Sequence, residues 1–276
     1  AVLVHHSSGK PDSVLLNFHD LTQLKELENA RRDFVANVSH ELRTPLSMIK
    51  GFVETIIDHP KMEEETLINF LSKVQKHSDR LALLVGDLLT ISKLESSQAT
   101  VNLHEVSLFE EVSRVMNDME SAARVKGVTL KVDISDAIKV KADPGLLEQM
   151  IINLVDNAIK YGSTDGCVEV RGFCNGNDNR QICVSVKDDG PGIPSEALDR
   201  IFERFFRVDK ARSRAQGGTG LGLSIVKHIA QTLGGRVWVE SQLRKGTTFF
   251  FTLILSEESH SQPLVILEEA CSAIKI

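Results

Sequence analysis

From Leu21 onward apolar residues return at helical spacing, with Leu24, Leu27, Phe34, Val38, Leu42, Ile49, Phe52 and Ile56 on one face, and Pro60 marks the stop. A second helix is predicted to start near Lys61. Its apolar positions, Leu67, Phe70, Val74, Leu81, Leu84, Leu88 and Ile91, with His77 among them, step strictly by three and four, which is a heptad seam. Two such helices with a short connection make an antiparallel hairpin. Each offers more apolar surface than a single partner covers, so the pattern predicts a four-helix bundle built from two chains. His77 interrupts the seam and reads as a polar core or rim residue rather than a ligand.

On either side of this hairpin the periodicity changes. Residues 1–20 read as two strands, Val2 to Val4 and Val14 to Phe18, around Ser8-Gly9-Lys10-Pro11-Asp12, too little chain for a core of its own. After the polar stretch Leu94-Glu95-Ser96-Ser97-Gln98 come strand-like runs over 100–106, 128–134, 167–173, 182–186, 236–240 and 248–255, with helices between them. Ser107 followed by Glu110 is a capping box, and Asp143-Pro144 opens another helix with a cap and a first-turn proline. The expected class is therefore α + α/β, the helical hairpin followed by an α/β sandwich without regular β-α-β alternation. The expected division is 1–20, 21–97, 98–256 and a tail, 257–276, whose Leu264-Val265-Ile266-Leu267 run suits either an added strand or a partner contact.

Composition removes several classes of function. With 276 residues, 42% hydrophobic and 25% charged, the chain is ordinary for globular protein, and a net charge of -6 disfavours nucleic acid. Cys167, Cys174, Cys183 and Cys271 have no zinc spacing and suit a reducing cytoplasm. No apolar run approaches the about 18 residues of a membrane span. The chain opens without Met, so a fragment is expected, with any membrane anchor upstream.

The candidate chemistry starts with Ser39-His40-Glu41-Leu42-Arg43-Thr44-Pro45-Leu46. An imidazole of ordinary pKa about 6.5 is largely neutral at pH 7, and its free nitrogen can attack phosphorus. Glu41 is the candidate to take or orient the other ring proton. Pro45 has no N–H for the carbonyl of Glu41, and Thr44 stands one turn beyond His40 on the same face. Further on, the helix after Asp143 places Leu147, Ile151, Leu154 and Ala158 on a core stripe and Asn153, Asn157 and Lys160 roughly 110° away. Amide oxygens suit Mg²⁺, and an ammonium suits phosphate. Asp188-Asp189-Gly190-Pro191-Gly192-Ile193 then follows a strand, and Gly217-Gly218-Thr219-Gly220-Leu221-Gly222-Leu223 precedes a helix whose free N–H groups can receive phosphate. That glycine run fits neither the dinucleotide fingerprint nor the Walker A loop.

Taken in order, these segments resemble bacterial sensor histidine kinases over about residues 21–255. The octet, with Phe34, Ala36, Asn37 and Val38 before it, is similar to their phosphoacceptor box. Asn153, Asn157, Lys160 and Tyr161 resemble the asparagine box of the gyrase and histidine-kinase ATPases. The D-x-G-x-G pattern puts the adenine contact on Asp188, with Gly190, Gly192 and Ile193 beside it. Phe205 and Arg207 fall in the aromatic box, Gly218 to Leu223 in the second glycine box, and Thr248 in the third. The resemblance implies ATP and Mg²⁺ as cofactors, with Asn157 on the metal and a flexible lid between Arg207 and Gly217. It implies a homodimer that phosphorylates His40, passes the group to an aspartate of a response-regulator receiver domain and, through Thr44, removes it again. Asp20-Leu21-Thr22 is similar to the exit of a PAS-type input domain, and Phe52-Val53-Glu54-Thr55-Ile56 to phosphate-responsive members. The alternatives are a silent scaffold that binds a regulator and an ATP-driven clamp. The intact His40, Glu41, Asn157 and Asp188 argue against the first, and the octet argues against the second.

The seam from Leu67 to Ile91 generates a test. The 21–97 hairpin alone is expected to sediment as a dimer, and a concentration-independent monomer would contradict the reading of its apolar face.

Overall fold

The computed structural model describes residues 2–5, 11–15, 20–96, 101–174, 180–209 and 218–256. At the start, β1 (Val2–His5) and β2 (Pro11–Leu15) pair antiparallel, with Val2 opposite Leu15. The hairpin expected there forms, but its second strand begins at Pro11 rather than Val14. Proline is tolerated as the first residue of a strand because no ladder N–H is needed from it. Leu16 to Phe18 lie outside the described residues.

The helical hairpin consists of α1 (Thr22–Asp58) and α2 (Glu64–Glu95). α1 runs through Pro45 as one helix. α2 begins at Glu64 instead of near Lys61, because Glu63 is extended and Glu64 and Glu65 then place negative charge at the positive end of the helix. Between the helices the Phe52 ring lies 5.7 Å from that of Phe70 and 6.1 Å from His77. Burial pushes the His77 imidazole below its ordinary pKa, and Arg80 and Lys76 push in the same direction, which disfavours its charged form. Leu84 and Ile91 are buried, yet Leu46, Ile57, Ile68, Leu71, Leu83 and Leu89 remain exposed. Among the described residues nothing covers these apolar side chains.

The α/β part contains β3 (His104–Ser107), α3 (Leu108–Val125), β4 (Thr129–Asp133), β5 (Lys139–Ala142) and α4 (Pro144–Tyr161). It continues with β6 (Cys167–Cys174), β7 (Gln181–Asp188), the short α5 (Ser195–Leu198), α6 (Gly222–Thr232), β8 (Val237–Gln242) and β9 (Gly246–Ile254). The sheet order is β4-β6-β7-β9-β8, parallel between β4 and β6 and antiparallel elsewhere. β3 pairs with β5 in a separate ribbon. The sequence pattern misses β5, which has four residues and two lysines among them. Its pairing, not its composition, makes it a strand.

Register explains the layering. Val132, Val170, Val186, Phe249 and Val239 stand directly opposite one another across the five strands, so they share one face. The apolar stripes of α3, α4 and α6 join that face in one buried cluster. Both predicted caps form: the Ser107 hydroxyl accepts from the Glu110 N–H at 3.3 Å, and Asp143 Oδ1 accepts from Gly145 at 3.1 Å and Leu146 at 3.2 Å. Among the described residues no helix is long and apolar enough to cross a membrane.

The far end of α4 is closed by a residue from another element. Lys126, just past α3, donates through Nζ to the carbonyls of Ile159, Lys160 and Gly162 at 2.7, 2.9 and 2.6 Å. A helix C-terminus leaves carbonyls without intrahelical partners and carries partial negative charge, so an ammonium satisfies both needs. Lys126→Met is expected to cost about 2–3 kcal/mol of stability, the cost of stranding partly buried acceptors of a charged donor. A lowered denaturant midpoint with an unchanged slope is the check.

Candidate active site

The phosphoacceptor segment sits in the middle of α1. His40 is exposed, whereas Glu41 is partly buried and turned toward α2, as adjacent helical positions must diverge. Glu41 Oε2 accepts from Arg80 Nη2 of α2 and from Arg207 Nη2 of the α/β part, both at 3.0 Å. The Thr44 hydroxyl donates to the His40 carbonyl at 3.2 Å, the back-bond of a mid-helix threonine. Sequence reasoning did not single out Arg80. A basic residue on a heptad helix carries no local mark of the carboxylate it will meet.

The second cluster is built on α4. Its stripe Leu147, Ile151, Leu154 and Ala158 is buried, which turns Asn153, Asn157 and Lys160 to the other side, half-exposed. Lys160 Nζ is bonded to Asp156 Oδ2 at 2.6 Å. Asn153 approaches the first residue of α6: a Cβ on Gly222 would lie 3.2 Å from Asn153 Oδ1. Its Nδ2 is buried without a hydrogen-bond partner among the described residues. A buried amide left unpaired marks a place where a further polar group fits. The two amide heads are interchangeable by rotation, so the same position can present a hard oxygen to a metal.

The strand end of β7 supplies the carboxylate. Asp188 is buried and accepts through Oδ1 from the Gly190 N–H at 2.8 Å and the Thr247 N–H at 3.3 Å. Burial pushes its carboxyl above the ordinary range; the two backbone donors oppose this, Asp189 adds to it, and Lys126 opposes it. Asp189 is exposed, and its oxygens serve the Ser163 and Cys167 N–H groups at 3.2 and 2.9 Å. The two aspartates thus have different work: one knits a loop, while the other keeps Oδ2 for something else. Gly190 admits no side chain, since a Cβ there would stand 2.5 Å from the Tyr161 carbonyl. Ile193 donates its N–H to Ser241 Oγ at 2.8 Å, and Thr248 sits in the sheet opposite Lys187 and Glu240. Gly192 lies in the same turn.

Gly218, Thr219, Gly220 and Leu221 lead into α6, where Gly222 and Leu223 begin the helix slightly ahead of the expected Ser224. Leu221 is fully buried, and its N–H donates to Thr219 Oγ1 at 3.2 Å. Gly220 has φ +78 and accepts at its carbonyl from the Phe205 N–H at 2.8 Å, so close that a Cβ would meet Phe205 Cα at 3.0 Å. Phe205 and Arg207, expected at the nucleotide, are directed to the hairpin here. The Phe205 ring lies 5.9 Å from Phe34 of α1, and Arg207 Nη2 bridges the Thr219 carbonyl at 2.7 Å and Glu41. Thr219 Oγ1 donates to Asp87 Oδ2 of α2 at 2.7 Å, and Arg204 covers the Phe34 ring and pairs with Glu95. Single aromatic and basic positions do not announce whether they will meet a ligand or another domain. Of the stretch between Arg207 and Gly217 expected to form a lid, residues 210–217 lie outside the described residues.

A phosphoacceptor-type hairpin joined to an ATPase fold of the kinase and gyrase type defines the class, and comparison with known proteins bears this out. Residues 30–97 match the His Kinase A (phospho-acceptor) domain, and residues 142–257 match the histidine kinase-, DNA gyrase B-, and HSP90-like ATPase. The sensor protein kinase WalK of Staphylococcus aureus is 39% identical over 236 residues, which are 85% of this chain and 56% of that protein. Against other WalK sequences of the same species the shares are 85% and 38%, so the chain spans about half or less of the curated relatives' length. Among solved structures, the Acinetobacter baumannii histidine kinase AdeS superposes with a TM-score of 0.63 at 28% identity, over 79% of this chain and 98% of that one. Full-length ShkA in complex with AMPPNP gives 0.60 at 28% identity, over 81% and 46%. The chain belongs to the bacterial sensor histidine kinases of two-component systems, of which it carries the phosphoacceptor and ATPase domains.

The raised pKa of Asp188 makes the acceptor role expected of it testable. A carboxylate accepts from an amino group more strongly than the protonated acid does, so under this assignment ATP affinity is expected to weaken with decreasing pH at a higher pH than an ordinary aspartate would give. Asp188→Asn is expected to weaken ATP by about ten- to a hundredfold, as loss of a hydrogen bond to a charged group does. It should also remove that pH dependence and leave GTP less affected. Calorimetric titration across pH reads all three, and equal losses for ATP and GTP would end the assignment.

Proposed function

We propose that this chain is the kinase portion of a sensor, autophosphorylating on His40 from Mg·ATP and passing the phosphoryl group to an aspartate of a response-regulator receiver domain. The observation that carries the reading is Arg207: one guanidinium joins the glycine loop, through the Thr219 carbonyl, to the carboxylate beside the nucleophile, Glu41. The loop and the phosphoacceptor are therefore parts of one device. In this reading residues 21–97 form the dimerisation and phosphotransfer domain and 98–256 the ATP-binding domain. Residues 1–20 close an upstream input domain, and the whole is the cytoplasmic portion of a membrane-anchored sensor. The exposed apolar face of the hairpin supports a homodimer.

Bound Mg·ATP supplies the γ-phosphoryl group. Asp188 Oδ2 receives the adenine amino group, and Gly190, Gly192 and Ile193 let backbone lie against the ring. Asn157 would hold Mg²⁺ through its amide oxygen, with the orphaned amide of Asn153 beside it on the same helix. Lys160 and the N–H groups entering α6 neutralise phosphate. Positioning and electrostatics supply most of the rate in phosphoryl transfer, and these groups are fixed by the fold before any ligand arrives. His40 forms the N–P bond as the bond from Pγ to the ADP oxygen breaks, and Glu41 takes up the proton from the opposite ring nitrogen. Thr44, one turn on, serves the reverse task of holding water against a phosphorylated regulator. Its bond to the His40 carbonyl is the resting rotamer of that hydroxyl.

Labelled γ-phosphate tests the reading. The wild type is expected to take up acid-labile, base-stable phosphate, and His40→Ala to take up none while holding ATP within about twofold of the wild-type affinity, because distant sites behave independently. Retained labelling in the variant would remove His40 from its role.

A further inference from the structure

The most suggestive group outside the reaction described above is Asp87. It stands on α2, about one helical turn before Ile91 at the end of the seam, and nothing in its local sequence separates it from a solvated helix residue. Its carboxylate nevertheless crosses to the ATPase domain. Oδ2 accepts from the hydroxyl of Thr219 at 2.7 Å, inside the glycine loop that leads into α6. From α4, Lys160 and Asp156 both act on it electrostatically. A carboxylate thus sits among the groups assigned to phosphate: the loop hydroxyl, the lysine of the asparagine helix and the start of α6.

We propose that Asp87 is a tethered anion that occupies the phosphate end of the nucleotide site while the ATPase domain rests on its own hairpin, so that Asp87 and nucleotide compete for Thr219. This rests on the reading of the cleft as an ATP site. The second contact of the same loop points the same way, since Arg207 holds the Thr219 carbonyl and gives its charge to Glu41 rather than to a ligand. Two carboxylates from two helices, Asp87 and Glu41, engage one loop. The seat of Asp87 is an uneasy one. Burial pushes its carboxyl above the ordinary range; the Thr219 hydroxyl and Lys160 oppose this, and Asp156 adds to it. A charge that has given up water for one hydroxyl and one shared ammonium is only weakly held, and a polyphosphate brings more charge to the same groups.

Competition has a consequence in each direction. Nucleotide loosens the domain from α2 and takes Arg207 away from Glu41, which keeps Arg80, at the moment the phosphoryl donor arrives; reciprocally, the docked arrangement lowers nucleotide affinity. Binding of donor and removal of one of the two guanidinium groups on the carboxylate beside His40 become one event.

The test is calorimetric titration of the full chain, as wild type, Asp87→Ala and Asp87→Asn, with AMPPNP·Mg²⁺ and separately with adenosine. Both variants are expected to bind AMPPNP about fivefold or more tightly than wild type, the low end of coupling between sites. Adenosine, which has no phosphates, should bind all three alike. Unchanged or weaker AMPPNP binding in the variants overturns the proposal, as does an equal gain for adenosine, which would mean a general opening of the cleft. Failure of the wild type to bind AMPPNP at all would instead overturn the ATP-site reading itself. Asp87 lies on the far helix from the nucleotide core, and circular dichroism of each variant confirms that a change in affinity is not a change in fold.

Discussion

Everything in the ATPase domain hangs on the burial of one stripe of α4. Leu147, Ile151, Leu154 and Ala158 pack into the cluster that includes the sheet row Val170, Val186 and Phe249. Because a helix is rigid on the scale of its own turn, burying that stripe fixes the angular position of Asn153, Asn157 and Lys160 without any further device. Its two ends are held as firmly. Asp143 caps the first turn, and Lys126 gathers the last carbonyls from outside the helix. Tyr161 then packs its carbonyl over Gly190, which ties the end of α4 to the loop carrying Asp188.

The polar wall so positioned is incomplete by itself. Among the described residues the buried Asn153 Nδ2 has no partner, and the Asp188 carboxyl is raised in pKa by its burial. Groups in this condition gain when a ligand of the right pattern replaces the water they have lost. Asp189, one residue on, is exposed and bonded to the Ser163 and Cys167 N–H groups, so it has lost no such water.

The loop from Gly218 to Leu223 belongs to two partners at once. Its backbone opens α6 toward the cleft, while Thr219 and Arg207 bond to Asp87 and Glu41 on the hairpin. Around it Phe205 meets Phe34, and Arg204 meets both Phe34 and Glu95. The contact between the domains therefore sets these polar and aromatic pairs around an apolar seam, in which Leu84 and Ile91 of α2, with Leu42, Leu88 and Leu94 packed beside them, join the buried cluster of the ATPase domain.

By itself the sequence determined whatever depends on local spacing. The seam of α2, the caps at Ser107 and Asp143, the two faces of α4 and the glycine turns at Gly190 and Gly220 are all properties of residues a few positions apart, where helical or strand geometry leaves little choice. It did not determine β5, a four-residue strand that exists only because β3 lies beside it, nor the late start of α2. Tertiary structure alone decided which of two adjacent aspartates is buried, that Lys126 closes α4, and that Arg80 and Arg207 converge on Glu41. It alone brought Asp87 to Thr219 across more than a hundred residues of chain. The physical reason is that a charged side chain on a helix surface looks the same in sequence whether it meets water or a partner; only the packing of the rest of the molecule chooses between them.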